Sequence, residues 1–441
     1  MKITRILYWE WIQLVRAPYK IIALILFGLA GIAGIINGVS LYQKQLKTLE
    51  QVESTSREQQ ESVKGWFADG KTGPEDRPWI DVSTPFWAMW YSAHQANKVP
   101  SPMMAFAIGQ AEQYGFYKRV NVWSTAYDND MAEEISNPER VVLGALDFSF
   151  VSVFLLPLLL IILTFNIGGY EQDKQLAGLI QLQQGIYTPW IIGRVSGIGV
   201  LVSLFLTAFI LLSGIFSGAF MNSPILLLKY LASILCYQWI WLILIGCFIY
   251  LKLGQTAQAM AITLVWVMVA IVIPGMVHQA SSLSYPNNLM VKYLDAKRVD
   301  QEKIYAMPHH QIWSEVSSKL PELKSTKLAS LADSLIPLEV KGGLFRTEIA
   351  FHMMDVHDAI EAGFEKKNKM IQNSYWFNPL VGIQNYLFEL AGTDYYSYAH
   401  YRRKIQNSNL DICKMLILDE WNGVRVTADV YAEYLKLLNK E

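Results

Sequence analysis

Five stretches of this chain are long and apolar enough to cross a lipid bilayer, and charged regions separate them. A bilayer core of about 30 Å takes about 20 residues of helix. The stretches are 21–42, 148–168, 190–216, 230–251 and 256–277, and their one charge is Arg194, near the start of the third. Backbone groups in lipid find no water, so each stretch must close its own hydrogen bonds as a helix. The chain is therefore predicted to be an all-α polytopic membrane protein. Pro157 and Pro274 should kink the second and fifth spans unless neighbouring helices bond the freed carbonyls.

Charge distribution supports this division. Only 17% of the 441 residues are charged, against about 25% in a soluble protein. They crowd into 44–140 and 292–441. A net charge of −1 offers nucleic acid no electrostatic footing. The three cysteines form no CxxC pair and reveal no redox compartment. Lys2, Arg5, Arg16 and Lys20 precede the first span against one acid, Glu10, which predicts a cytoplasmic N-terminus. Residues 43–147, 217–229 and 278–441 then lie outside, and 169–189 and 252–255 inside. No cleavable leader is expected before the first span. Segment 1–20 mixes apolar and basic residues before Pro18 and reads as an amphipathic helix on the cytoplasmic interface.

Both outer regions, 43–147 and 278–441, read as mainly α and are expected to pack into one unit. Residues 45–65 should extend the first span outward. Residues 69–103 and 281–288 read as loops. Short helices are expected at 103–113 and 131–139, and longer ones near 289–305, 312–335 and 343–375.

The motifs point away from catalysis. Gly65–Thr72, GWFADGKT, matches the P-loop spelling. A P-loop needs a strand before it and a helix after it; here a polar helical run precedes it and Gly73, Pro74 and Pro78 follow. His352 and His357, near Asp355 and Asp358, are five residues apart, which puts the rings on different faces of a helix, so a solvated helix face is expected there. No nucleophile elbow, dinucleotide fingerprint or metal spacing occurs. No catalytic, metal or cofactor site is expected, and the chain is not read as an enzyme. The near absence of charge within the spans argues against ion-coupled transport. Asp147, Asn166, Gln255 and Gln258 stand at span ends and are expected to be interfacial.

The short inner segment 169–189 is the most informative. Glu171 to Tyr187 opens with Glu171 and Asp173, then carries Leu176, Leu179, Ile180 and Leu182 at helical spacing. It reads as one compact amphipathic helix able to enter a groove on a partner, with the two acids in its first turn.

At this point the chain resembles the ABC-2 type transporter permeases, in the branch with large extracytoplasmic insertions and no assigned substrate. The resemblance rests on the acid-x-acid step Glu171–Asp173, the short helix that follows, Thr188–Pro189 and Gly193–Arg194. It also rests on Ala107-Ile108-Gly109-Gln110, Tyr117, Asn137-Pro138, Gly144, Asp147-Phe148 and Leu156-Pro157-Leu158, and downstream on Asn378-Pro379, Ala391-Gly392-Thr393-Asp394 and His400. It extends over about residues 1–400 and is strongest in 104–194. Two departures stand out. Gln175-Leu176-Ala177 replaces the usual Gly-Thr-Leu, and the usual sixth span is not found. The resemblance implies a fold of ABC-2 exporter type, with five spans or six, in the inner membrane of a bacterium. It also implies a non-catalytic subunit driven by a separate cytoplasmic ABC ATPase, and a second permease, identical or paralogous, completing the pathway. Such a subunit would export a solute or transmit motion to its outer domain. The alternative reading is a membrane-anchored assembly or sensor protein that holds extracytoplasmic partners.

Overall fold

The computed structural model describes residues 3–128, 130, 146–184, 188–286 and 289–438. The chain is built almost wholly of helices. Among the described residues, five helices are long and apolar enough to cross a membrane, and each covers one of the stretches expected to do so, the fourth as far as Tyr250.

Helix α1 (Ile3–Arg16) ends at Ala17, and α2 (Pro18–Ala68) begins with proline in its first turn, where the missing N–H is no loss. The break is the one Pro18 predicts. At 51 residues, α2 is about 76 Å long and runs far beyond any bilayer. Glycines let its middle approach other backbone. A Cβ on Gly34 would lie 2.7 Å from the Asp147 carbonyl carbon, and one on Gly38 would overlap the Ala105 carbonyl oxygen. Close backbone contact at small residues is how helices pack without a hydrophobic drive from water.

Beyond α2 come α3 (Pro85–Trp90) and a small antiparallel pair, β1 (Gln95–Asn97) and β2 (Tyr117–Arg119). Helix α3 and strand β1 correct the expectation of plain loop over 69–103. The helix expected at 103–113 is only a 3₁₀ turn, Pro102–Ala105. The one expected at 131–139, with Asn137, Pro138 and Gly144, lies outside the described residues.

The bundle continues with α4 (Phe148–Asp173), α5 (Ala177–Gln184), α6 (Thr188–Ser217), α7 (Pro224–Tyr250) and α8 (Gln255–Ser284). The prolines act through local widening. A π-turn at Val151–Leu155 precedes Pro157, and another at Met268–Val272 precedes Pro274. Pro157 frees the Val153 carbonyl, which accepts a 2.6 Å hydrogen bond from the Tyr237 hydroxyl of α7. The neighbouring helix thus supplies the missing donor. Asp147 is buried rather than interfacial. Its carboxylate caps α4 at the Phe150 N–H, 2.7 Å, and also accepts from the Ile108 N–H, 2.8 Å. Gln258 is buried too, and its amide donates to the Phe165 and Ile167 carbonyls at 3.2 and 2.9 Å.

The remaining chain forms a head domain at the end of the bundle where α4 begins. After helical stretch 289–305 come α9 (His309–Lys319), α10 (Leu338–Asn373), α11 (Pro379–Ala391), α12 (Tyr395–Asn422) and α13 (Ala428–Leu438). The helix expected over 312–335 stops at Lys319 and gives way to 3₁₀ turns. Helices α10 and α12 pack antiparallel, with Arg346 on Glu420 at one end and Glu361 on Arg402 at the other. The two regions expected outside the membrane do pack as one unit. Tyr401 of α12 donates to the Ala96 carbonyl, 3.1 Å, and Asn409 to that of Asn121, 2.7 Å. Helix α11 departs from the expected division. It leaves the head and buries Leu380 and Leu387 in the core shared by the spans.

Candidate functional site

The segment between α4 and α6 sits at the end of the bundle opposite the head. It is two pieces rather than one helix. The last turn of α4, Gly169–Asp173, holds both acids, and a turn at Lys174–Leu176 separates it from α5. Gln175 stands at φ 56°, a left-handed conformation costing about 1–2 kcal/mol for a residue with a Cβ.

Both acids are engaged within the chain. Glu171 is buried, accepting from the Gly168 N–H at 2.8 Å and pairing with Arg194 at 2.5 Å. Asp173 accepts from the Gln255 N–H at 3.0 Å and caps the start of α8. Neither occupies the first turn of α5. The apolar residues differ. Leu176, Leu179 and Leu182 are 38%, 57% and 85% exposed, and Ile180 is half-buried. The helix thus shows a stripe of leucine on a base held by the acids. Tyr187, expected to close it, lies outside the described residues.

That base is a buried ionic cluster. Arg194 of α6 pairs with Glu10 of α1 and Glu171 of α4, donates to Gln13 at 2.8 Å, and lies 4.9 Å from the Trp190 ring. Nearby, the Lys20 ammonium is buried and donates to Asn166 at 3.3 Å. Three helices meet on one guanidinium. A lone arginine in an apolar span was itself the signal, because such a charge needs an acid. Its partner Glu10 is remote in sequence, and α1 is held against α6 rather than only lying on a membrane.

A second buried cluster lies within the head. Arg402 pairs with Glu361 at 2.6 Å and with Asp130 at 3.4 Å, beside the rings of Tyr114 and Tyr127. Burial lifts Asp130 to about 6 against the pull of Arg402. Burial also raises Glu361, but the charge and hydrogen bond of Arg402 outweigh it and leave that carboxyl below its usual range. His357 corrects the expected solvated face. It is 1% exposed, 5.5 Å from the Tyr127 ring, and neither ring nitrogen has a hydrogen-bond partner. His352 instead reaches Asp300 at 3.2 Å.

Burial pushes His357 down to about 4 from 6.5, with Glu361 and Asp358 opposing and Arg403 and Arg402 assisting. The folded state then binds fewer protons than the unfolded one between these values. Its stability is full above 6.5 and falls as the pH drops toward 4. From pH 7.5 to 5 the wild type should lose about 2 kcal/mol that His357→Phe retains. Asp130 and Glu420, both raised by burial, act in the opposite sense but are common to both proteins. Denaturant titrations at the two pH values check this, and parallel losses would refute it.

The P-loop spelling has a plain structural setting. Gly65–Ala68 is the last turn of α2, and exposed Lys71 pairs with Glu75 at 2.8 Å.

Comparison with known proteins adds one finding. A family described as a domain of unknown function, DUF3526, matches residues 319–435, the stretch that carries α10 to α13. No curated protein and no solved structure matches the chain.

Proposed function

We propose that the chain is the permease subunit of an ABC-2 type transporter, set in a bacterial inner membrane with its N-terminus in the cytoplasm. It is driven by a separate ABC ATPase. The observation that carries this reading is the exposed leucine stripe of α5, between two spans and opposite the head. In this reading α5 docks in a groove of the ATPase. Glu171 and Asp173 set its position, through Arg194 and the start of α8, so a push on α5 reaches α1, α4, α6 and α8 together. The bundle passes it to the head through α11. A second permease, identical or paralogous, completes the pathway, and the thinly covered α8, with 11% of its apolar window buried, gives it a face to meet.

Fully burying a leucine is worth about 1.5–3 kcal/mol. Leu179→Glu should therefore weaken ATPase docking by about tenfold or more while the chain still folds and inserts. The measurement is the amount of co-expressed ATPase retained on the tagged chain in detergent, together with its turnover. Equal retention and equal turnover would remove the permease reading and put the membrane-anchored assembly or sensor role in its place.

A further inference from the structure

We propose that the chain binds one anionic amphiphile with a polyhydroxylated headgroup, seated astride α11 at the head end of the bundle. Two cavities flank this helix, and Tyr386 lines both. The first is an apolar groove of about 540 Å³ between α7, α8 and α11, lined by Tyr237, Ile240, Trp241, Val269, Leu380 and Ile383. Exposed Ile240 and Cys236 place it on the outer surface of the bundle, where acyl chains enter directly. Lys229 also lines it, at the sixth position of α7, exposed and with no carboxylate paired to it among the described residues. A lysine on a lipid-facing helix extends its ammonium toward the interface, where a lipid phosphate is its natural partner.

The second cavity, about 480 Å³, has the opposite chemistry. Gln110, Asn368, Gln372, Asn385, Glu389 and Tyr395 line it. Amides and phenols offer donors and acceptors at fixed places, which suits hydroxyl groups that are both. The side-chain oxygen of Gln110 is buried there without a partner. Glu389 and Asp394 disfavour a phosphate in the cleft itself. Charge thus orders the occupant: acyl chains in the groove, phosphate at Lys229, hydroxylated headgroup in the cleft. This seat needs only a membrane around the bundle, so it stands or falls apart from the permease reading.

The test uses the full chain, purified and stripped of lipid, with phosphatidylinositol, phosphatidic acid and phosphatidylcholine of identical acyl chains as probes. Native mass spectrometry reads the bound fraction. One phosphatidylinositol should bind, tighter than phosphatidic acid, which should bind tighter than phosphatidylcholine. Lys229→Gln should weaken both anionic lipids about tenfold and leave phosphatidylcholine unchanged. Asn368→Leu should weaken phosphatidylinositol alone. Equal binding of the three lipids, or anionic binding unmoved by Lys229→Gln, would leave the groove an ordinary lipid-facing surface and overturn the proposal. Asn368→Leu weakening phosphatidic acid as much as phosphatidylinositol would also overturn it, since the cleft would then hold no headgroup.

Discussion

Arg194→Met should destabilise the bundle by about 3–5 kcal/mol, because it leaves two buried carboxylates without their cation. Arg194 is the common partner of Glu10 and Glu171, and all three side chains are nearly inaccessible. Glu10 already keeps one oxygen without a hydrogen-bond partner, so losing the guanidinium strands the whole group. Arg194→Lys should fail almost as badly, since one ammonium cannot span two carboxylates and Gln13 as the planar fork does. The triple variant Arg194→Met, Glu10→Gln, Glu171→Gln should recover most of the loss, because neither stranded carboxylate remains. Thermal unfolding in detergent, followed by size-exclusion of the surviving protein, separates the cases. Should the single and triple variants unfold alike, Arg194 acts through packing and the ionic account fails.

The same residues show where sequence patterning suffices and where it stops. The spans were legible because an apolar run reports itself without any partner. The turn at 174–176 was not. Spacing of Leu176, Leu179 and Leu182 suggested a helix from Glu171 onward, and nothing in that spacing reveals that Glu171 turns inward to an arginine on another span. The roles of Asp147 and Gln258 were hidden for a related reason. Each satisfies backbone groups left over where another segment is irregular, and that need exists only once the fold has formed.

The head was less legible still. Helix α12 went unanticipated because its inward face mixes Tyr398, Arg402, Gln406 and Asn409 with Ile405, Ile412 and Leu416, so no clean apolar stripe marks it. Polar side chains occupy those positions because they bond the loops of region 43–147, as Asn409 bonds Asn121. Helix α11 is apolar but has only 13 residues, too short to cross a bilayer. It reads as a piece of a soluble core until its contacts with the spans are seen. Strands β1 and β2 have three residues each, too few to show alternation.

Arg402→Met should cost the head about 3–5 kcal/mol near pH 8, with a pH dependence that packing alone does not produce. Arg402 is the one cation paired with Glu361 and Asp130 among the described residues, and all three are largely buried. Without it both carboxyls lose the attraction that opposes burial: Asp130 should rise further above its unfolded value, and Glu361 should move from below its unfolded value to above it. A raised acid makes the folded state bind more protons than the unfolded one, so its stability is greatest at low pH and falls as the pH climbs through the folded value. In the wild type Glu361 behaves the other way: its lowered pKa contributes stability above the usual carboxylate range and loses it on acidification. The gap between wild type and Arg402→Met should therefore be widest at pH 8 and narrow steadily toward pH 5, as the stranded carboxyls take up protons. Adding Glu361→Gln and Asp130→Asn to Arg402→Met should restore stability at pH 8 and flatten the profile, because neither stranded carboxyl remains. Denaturant midpoints across that range give the measurement. A gap that stays constant with pH would mean that the guanidinium serves the Tyr114 and Tyr127 rings rather than the acids, and the cluster would then be a packing site and not an electrostatic one.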